Sequence, residues 1–381
     1  MGLWAAHGLM GFFLWVGCAN LKPGAAVGIT RNALAALDAI GPAALQCVER
    51  AGAVPMGGLR WMLAQGEGKG SILGDLEDDP TKGERRTCIV HRAAFIGALL
   101  ADVPPDRMHT SKKLNKVDNN PDGSLVLQFA DGQSHECDIL IGADGIHSYS
   151  DPAASPRNTG FWCVMALKPY AESQASLGDQ FVNINDPREY DWLGDGSYMM
   201  HNLWEQGQLV QFIIASYEKD AEQSKEWRRM VTADEIKSLF KDWPPHLYKA
   251  ATELLCDTPE QPAMYLWEHP PAHTYASGGG MSIEDSLILW KLLGRAKTPF
   301  EAQVALQVYD EVRRPRTQRI VESSRGTGLM VTGIHEETKL HVEKLKEKLP
   351  PRWDFINNLD VNQNVSTAVE MMDEQLKGHD S

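Results

Sequence analysis

Three consecutive glycines, Gly278-Gly279-Gly280, run directly into an apolar helical stretch, Met281–Trp290. A helix that opens on glycines presents its first backbone N–H groups with no Cβ in front of them. The positive end of its dipole then suits an anion or an electron-rich ring edge. The plainer alternative is a flexible linker before a core helix. A second bare stretch of backbone lies at Gly142-Ala143-Asp144-Gly145, at the end of the apolar segment Glu136–Ile141. A strand that ends in small residues lets a ligand approach the main chain, and Asp144 supplies one acceptor there; the same four residues also suit an ordinary turn. Both features favour an α/β fold. Yet 33 glycines include no GxGxxG fingerprint and no GxxxxGK[ST] loop.

The rest of the chain reads in blocks. Thr30–Ile40 predicts a helix with Leu34, Leu37 and Ile40 on one face, Thr30 as N-cap and Gly41-Pro42 as the stop. Cys88–Val90 predicts a strand leading into His91-Arg92 and an amphipathic helix through Leu100. An arginine at such a junction, Arg92, can point at an anion. Ser124–Ala130 and Glu136–Ile141 predict a hairpin around Asp131-Gly132. From Phe161 to Leu255 the pattern turns to strands at FWCVMAL, FVNIN, SYMMHNLW and QLVQFIIASY, followed by a charged stretch, Glu218–Lys241, that predicts a solvated helix pair. Phe300–Val312 predicts a helix ending in Arg313-Arg314-Pro315-Arg316. The C-terminal residues predict an amphipathic helix at His335–Leu349, a docking Trp353 and a closing helix at Ser366–Leu376.

At 381 residues the chain is long enough for two or three domains, and 43% hydrophobic with 23% charged residues excludes disorder. A net charge of −14 argues against nucleic acid as a partner. The six cysteines contain no CxxC pair and predict reduced, mostly buried thiols. Met1–Ala19 is apolar with no basic residue before Lys22, which leaves a signal peptide, a short membrane anchor or a buried segment open. The remainder suggests a cytoplasmic protein, with membrane association through residues 3–19 as the alternative. There is no GxSxG or HExxH, and Pro270-Pro271 between His269 and His273 argues against a helical metal pair. His91, His147 and His201 fit structural roles better than catalytic ones, and Tyr198 and Trp204 fit the sheet core better than an aromatic site.

In order, GAAVGITRNALAALDAIG (Gly24–Gly41), IVHRAAFIGALL (Ile89–Leu100), DILIGADGIHS (Asp138–Ser148) and GGGMSIEDSLILWKLLG (Gly278–Gly294) resemble the FAD-dependent aromatic hydroxylases of the salicylate hydroxylase-like, single-component monooxygenase group. The WEHPP run at Trp267–Pro271 and the RRPR run at Arg313–Arg316 agree. The resemblance implies an α/β fold in which an FAD-binding doubly wound, Rossmann-like domain carries an inserted, mostly antiparallel substrate sheet and C-terminal helices. It divides the chain into an apolar segment at 1–23, an FAD-binding domain at 24–150 and 256–330, a substrate-covering sheet at 151–255 and a helical segment at 331–381. It further implies hydroxylation of a phenolic or aromatic metabolite with NAD(P)H and O2, in secondary metabolism or aromatic degradation. A flavin-poor remnant that binds a small aromatic ligand or a protein is the alternative.

The same resemblance implies site roles. Gly24, Ala26 and Gly28 would line the adenosine-ribityl side of FAD, Arg92 would reach its ribityl or phosphate oxygens, and Asp144-Gly145 would sit by the pyrophosphate. Gly279 and Gly280 would offer amides to the flavin's pyrimidine edge. Two family features are missing: Met1–Lys22 stand where the glycine-fingerprint unit belongs, and Ala276-Ser277 where a Gly-Asp motif belongs. Weak FAD binding is the expectation. Met165 and Asn202 stand where some relatives carry a substrate-side arginine and tyrosine.

Overall fold

A computed structural model describes residues 14–16, 26–77, 85–143, 156–268 and 279–379. The N-terminal part runs β1 (Leu14–Val16), β2 (Ala26–Ile29), α1 (Arg31–Ile40), α2 (Pro42–Arg50), β3 (Val54–Pro55), β4 (Gly58–Leu63), β5 (Ile72–Leu76), β6 (Cys88–His91) and α3 (Arg92–Leu100). Strands β7 (Met108–Thr110), β8 (Leu114–Asn119), β9 (Leu125–Phe129) and β10 (Ser134–Cys137) follow. The central part contains β11 (Arg157–Pro169), α4 (Tyr170–Leu177), β12 (Arg188–Leu193), β13 (Ser197–Trp204), β14 (Leu209–Tyr217), β15 (Arg228–Thr232), α5 (Ala233–Phe240), α6 (Pro245–Leu254) and β16 (Glu260–Glu268). Helices α7 (Gly279–Leu293), α8 (Pro299–Val331), α9 (Val342–Lys348), α10 (Pro351–Asn357) and α11 (Val361–His379) complete it.

The molecule is a mixed α/β protein built around an eight-stranded sheet of order β15-β16-β11-β14-β13-β12-β4-β5. All neighbours in it are antiparallel except β12 and β4. Its strands therefore come from both flanks of the central block as well as from the block itself. A smaller antiparallel sheet, β2-β6-β3, carries the first helices, and β1 pairs in parallel with β7.

One face of the large sheet packs Trp162, Val164, Trp192 and Phe212 against Ile236 and Phe240 of α5 and Leu247 of α6. Each such fully buried side chain contributes about 1.5–3 kcal/mol by leaving water. A second core joins Ile29, Leu34, Leu37 and Val90 to Ile283 and Leu287 of α7, so the small sheet and the glycine-led helix form one unit. Strands β12 and β13 are joined by a turn at Gly194-Asp195-Gly196. There Gly196 has φ +70°, and a Cβ on Gly194 would lie 2.3 Å from the Trp243 ring, so both positions require glycine.

Several local expectations are corrected. FVNIN is a turn rather than a strand: the Asn183 side chain accepts from the Asn185 N–H, and Asp186 N–H bonds back to the Asn183 carbonyl. The charged stretch after Glu218 includes strand β15, which pairs with β16 at the sheet edge. The second hairpin strand lies at Ser134–Cys137, and residues 138–143 continue without strand structure. Helix α8 does not end before the arginines but runs through Pro315 for 33 residues. Among the described residues no helix is long and apolar enough to cross a membrane.

Candidate functional site

Strand β12 reads REYDWL, and its alternation puts Tyr190 and Trp192 into the core while Glu189 and Asp191 face the other way. The antiparallel register sets Asp191 opposite Met200 on β13, and Asn202 lies two residues further along. The Asn202 amide donates to Glu189 Oε2 at 2.6 Å. On the next strand Gln211 stands opposite Asn202, and Ile213 opposite Met200. Glu189, Met200, Asn202, Gln211 and Ile213 floor a cavity of about 300 Å³. Gly28 and Thr30 of the small-sheet unit face it from above, and Trp353 and Asn357 of α10 close one end.

The cavity is mostly apolar, with Met56, Leu59, Ile89, Met200 and Ile213 among its walls. Its floor carries the carboxyl group. Burial raises the Glu189 pKa above the usual carboxylate range, and the Asn202 hydrogen bond only partly offsets this. Asp191, 6% exposed, is raised further, first by burial and then by the Glu189 charge. Tyr198 donates to Asp191 Oδ1 at 2.5 Å, and its phenol is pushed up by burial and by that same carboxylate. Of these two acids on one face of β12, Glu189 lines the apolar chamber, where it can orient a hydroxylated ring.

The expected site residues fall as follows. Gly28 lines the cavity, and a Cβ built on it meets nothing within 4 Å. Gly279 and Gly280 are the first residues of α7, and a Cβ on Gly280 meets only Thr30 Oγ1, at 3.9 Å. Among the described residues, no side chain crowds the Gly28 or Gly280 backbone, which fits a flat ring system such as a flavin. Ala26 opens β2 opposite His91, and Arg92, exposed, is the first residue of α3 beside it. Arg92 is not among the cavity's lining residues. Gly24, Asp144 and Gly145, like His147, His269 and His273, lie outside the described residues.

The other candidates resolve into structure. His91 caps α3 by accepting from the Ala94 N–H at 3.2 Å, and Trp204 stacks on it. His201 accepts from the Trp192 indole at 3.1 Å. Met165 is half-exposed opposite Ile213 and lies outside the cavity lining, whereas Asn202 is part of the floor. Glu189 and Gln211 were not apparent as site residues from sequence. The available signal was the REYDWL alternation, in which two acids share a face with the aromatics opposite.

No protein-family profile matches the chain. The 6-methylsalicylate 1-monooxygenase of Aspergillus terreus is 26% identical over 337 residues, 80% of this chain and 72% of the relative. A salicylate hydroxylase substrate complex superposes with a TM-score of 0.77 at 20% identity, covering 91% of this chain and 90% of the other. The chain's homologues are salicylate hydroxylase-like, FAD-dependent monooxygenases. CtdE, solved in complex with FAD and its substrate 4, matches with a TM-score of 0.77 at 14% identity over 99% of this chain and 97% of that one. The fold of these monooxygenases, a large sheet beneath a smaller α/β unit with helices at the C-terminus, is the fold of this chain.

Proposed function

We propose that this chain is an FAD-dependent monooxygenase that hydroxylates a phenolic or otherwise aromatic metabolite, with NAD(P)H as reductant and O2 as oxidant. The observation that carries the reading is that the bare backbone of Gly28 and the polar floor at Glu189 and Asn202 line the same cavity. Cofactor and substrate would meet there. The homologues' catalytic names weigh against a non-catalytic remnant.

In this reading Gly24, Ala26 and Gly28 hold the ribityl side and Gly279-Gly280 give their amides to the ring's pyrimidine edge, where a helix N-terminus favours negative charge. Arg92 and the Asp144-Gly145 turn serve the phosphates. When bound and reduced, the flavin supplies the activation of O2. The protein's own part is to keep water out with Met56, Leu59, Ile89, Met200 and Ile213, and to place the ring over the floor. The protein is read as cytoplasmic, with membrane association through residues 3–19 as the alternative.

Without a GxGxxG turn to receive the diphosphate, FAD is held weakly. The visible spectrum of the purified protein tests this: flavin absorbance well below one equivalent is expected, and full occupancy would overturn the weak-binding part. With FAD added to saturation, a phenol should stimulate NAD(P)H oxidation and gain one atom of 18O from labelled O2. No incorporation across a panel of phenols and aromatic acids would sink the monooxygenase reading.

A further inference from the structure

Glu189 is the only residue with a formally charged side chain among the described residues that line the cavity. Its Oε2 is taken by the Asn202 amide at 2.6 Å. Oε1 has no hydrogen-bond partner among the described residues, and the residue keeps part of its surface open. The neighbouring Asp191 adds a second carboxyl group on the same face of β12. A carboxylate placed in this chamber would meet like charge in surroundings of low dielectric, where such repulsion is screened far less than in water. A hydroxyl group instead brings the hydrogen that Oε1 lacks, and a hydrogen bond to a charged acceptor is stronger than a neutral one. The apolar walls take the ring.

We propose that Glu189, held by Asn202, is the specificity element of this cavity and selects an uncharged phenol by accepting its hydroxyl hydrogen, excluding the corresponding aromatic acid. This rests on the reading of the cavity as the aromatic-substrate site and names the substrate class for it. It separates this chain from the relatives whose names specify salicylates.

The test compares resorcinol with 2,4-dihydroxybenzoate, which differ only in the carboxylate, by isothermal titration of the full-length protein at neutral pH. Resorcinol is expected to bind at least about tenfold more tightly. Glu189→Gln removes the charge but keeps an acceptor oxygen. It should bring the two affinities within about threefold, mainly by improving the acid, with an unchanged far-ultraviolet dichroism spectrum as the control for folding. Equal affinities in the parent chain, an unchanged ratio in Glu189→Gln, or no saturable resorcinol binding would each overturn the proposal. Incorporation of 18O by the same protein saturated with FAD separates the two levels. Protein that discriminates but incorporates no label keeps the specificity assignment while the monooxygenase reading fails. Flavin-loaded protein that prefers the acid reverses only the specificity.

Discussion

His201 sits 1% exposed beneath the cavity floor, with its ring stacked on Tyr190 and its Nε2 occupied by the Trp192 indole. Burial, and secondarily the nearby His246, hold its pKa down to about 3. The unfolded chain titrates this group near 6.5. Its contribution to stability is therefore complete above that pH and is lost as pH falls from there towards 3. The urea midpoint followed by tryptophan fluorescence should fall between pH 7 and 4.5, and less steeply in His201→Gln. Asp191 has the opposite sign. Its folded pKa is raised, so its contribution is complete below about 4 and declines as pH rises. Asp191→Asn should raise the midpoint at pH 8 while changing little at pH 4. Tyr198→Phe withdraws the donor from that buried carboxyl group and should cost about 1–3 kcal/mol in the same assay at pH 7.

Among the elements, α8 carries the least expected feature. Pro315 gives up one backbone donor inside it, yet the helix continues because its flanking arginines are fastened to α7. Arg313, fully buried, donates to Glu284 and Asp285 at 2.7 Å each, and Arg316 and Asn32 converge on Glu284 as well. Burial pushes the Glu284 carboxyl up, but the Arg316 hydrogen bond and the two arginine charges outweigh it, so its pKa lies below the usual range. This network fixes the glycine-led start of α7 against α1. Arg313→Met removes the guanidinium that pairs with both buried carboxylates and should destabilise the protein by about 3–5 kcal/mol in urea titrations. Arg313→Lys, which lacks the fork, should recover only part of that.

The same scale shows what the sequence made legible. Helix α1 was readable because one face is apolar at the helical period, and strands β11, β13 and β14 because their apolar and aromatic runs are long. Strand β4 was not, since five of its six residues are buried and no alternation survives. The arginines of α8 read only as a helix end because their partners lie on another helix, which pattern along one chain does not reveal. The glycines of the site stood out by type. The floor did not, because Glu189, Asn202 and Gln211 become neighbours only through strand register.

For the whole molecule, the large sheet is not a separable insert. Strands β4 and β5 extend it beyond β12, and β15 and β16 extend it beyond β11. A fragment of residues 156–268 keeps six of the eight strands but exposes the β12 edge and loses Trp61 and Leu63, both fully buried. It should give a poorly dispersed amide spectrum by NMR and no cooperative urea transition, whereas a folded, cooperative fragment would contradict this. The parallel pairing of Gly58–Leu63 with Arg188–Leu193 also has a bearing on how the chain is made. As the polypeptide leaves the ribosome, β4 must wait for β12, and the end wall at Trp353 and Asn357 emerges later still. The chamber is thus among the last parts of the protein to exist, so a small molecule that fits it acts on the finished fold and has no part in guiding the early stages of folding.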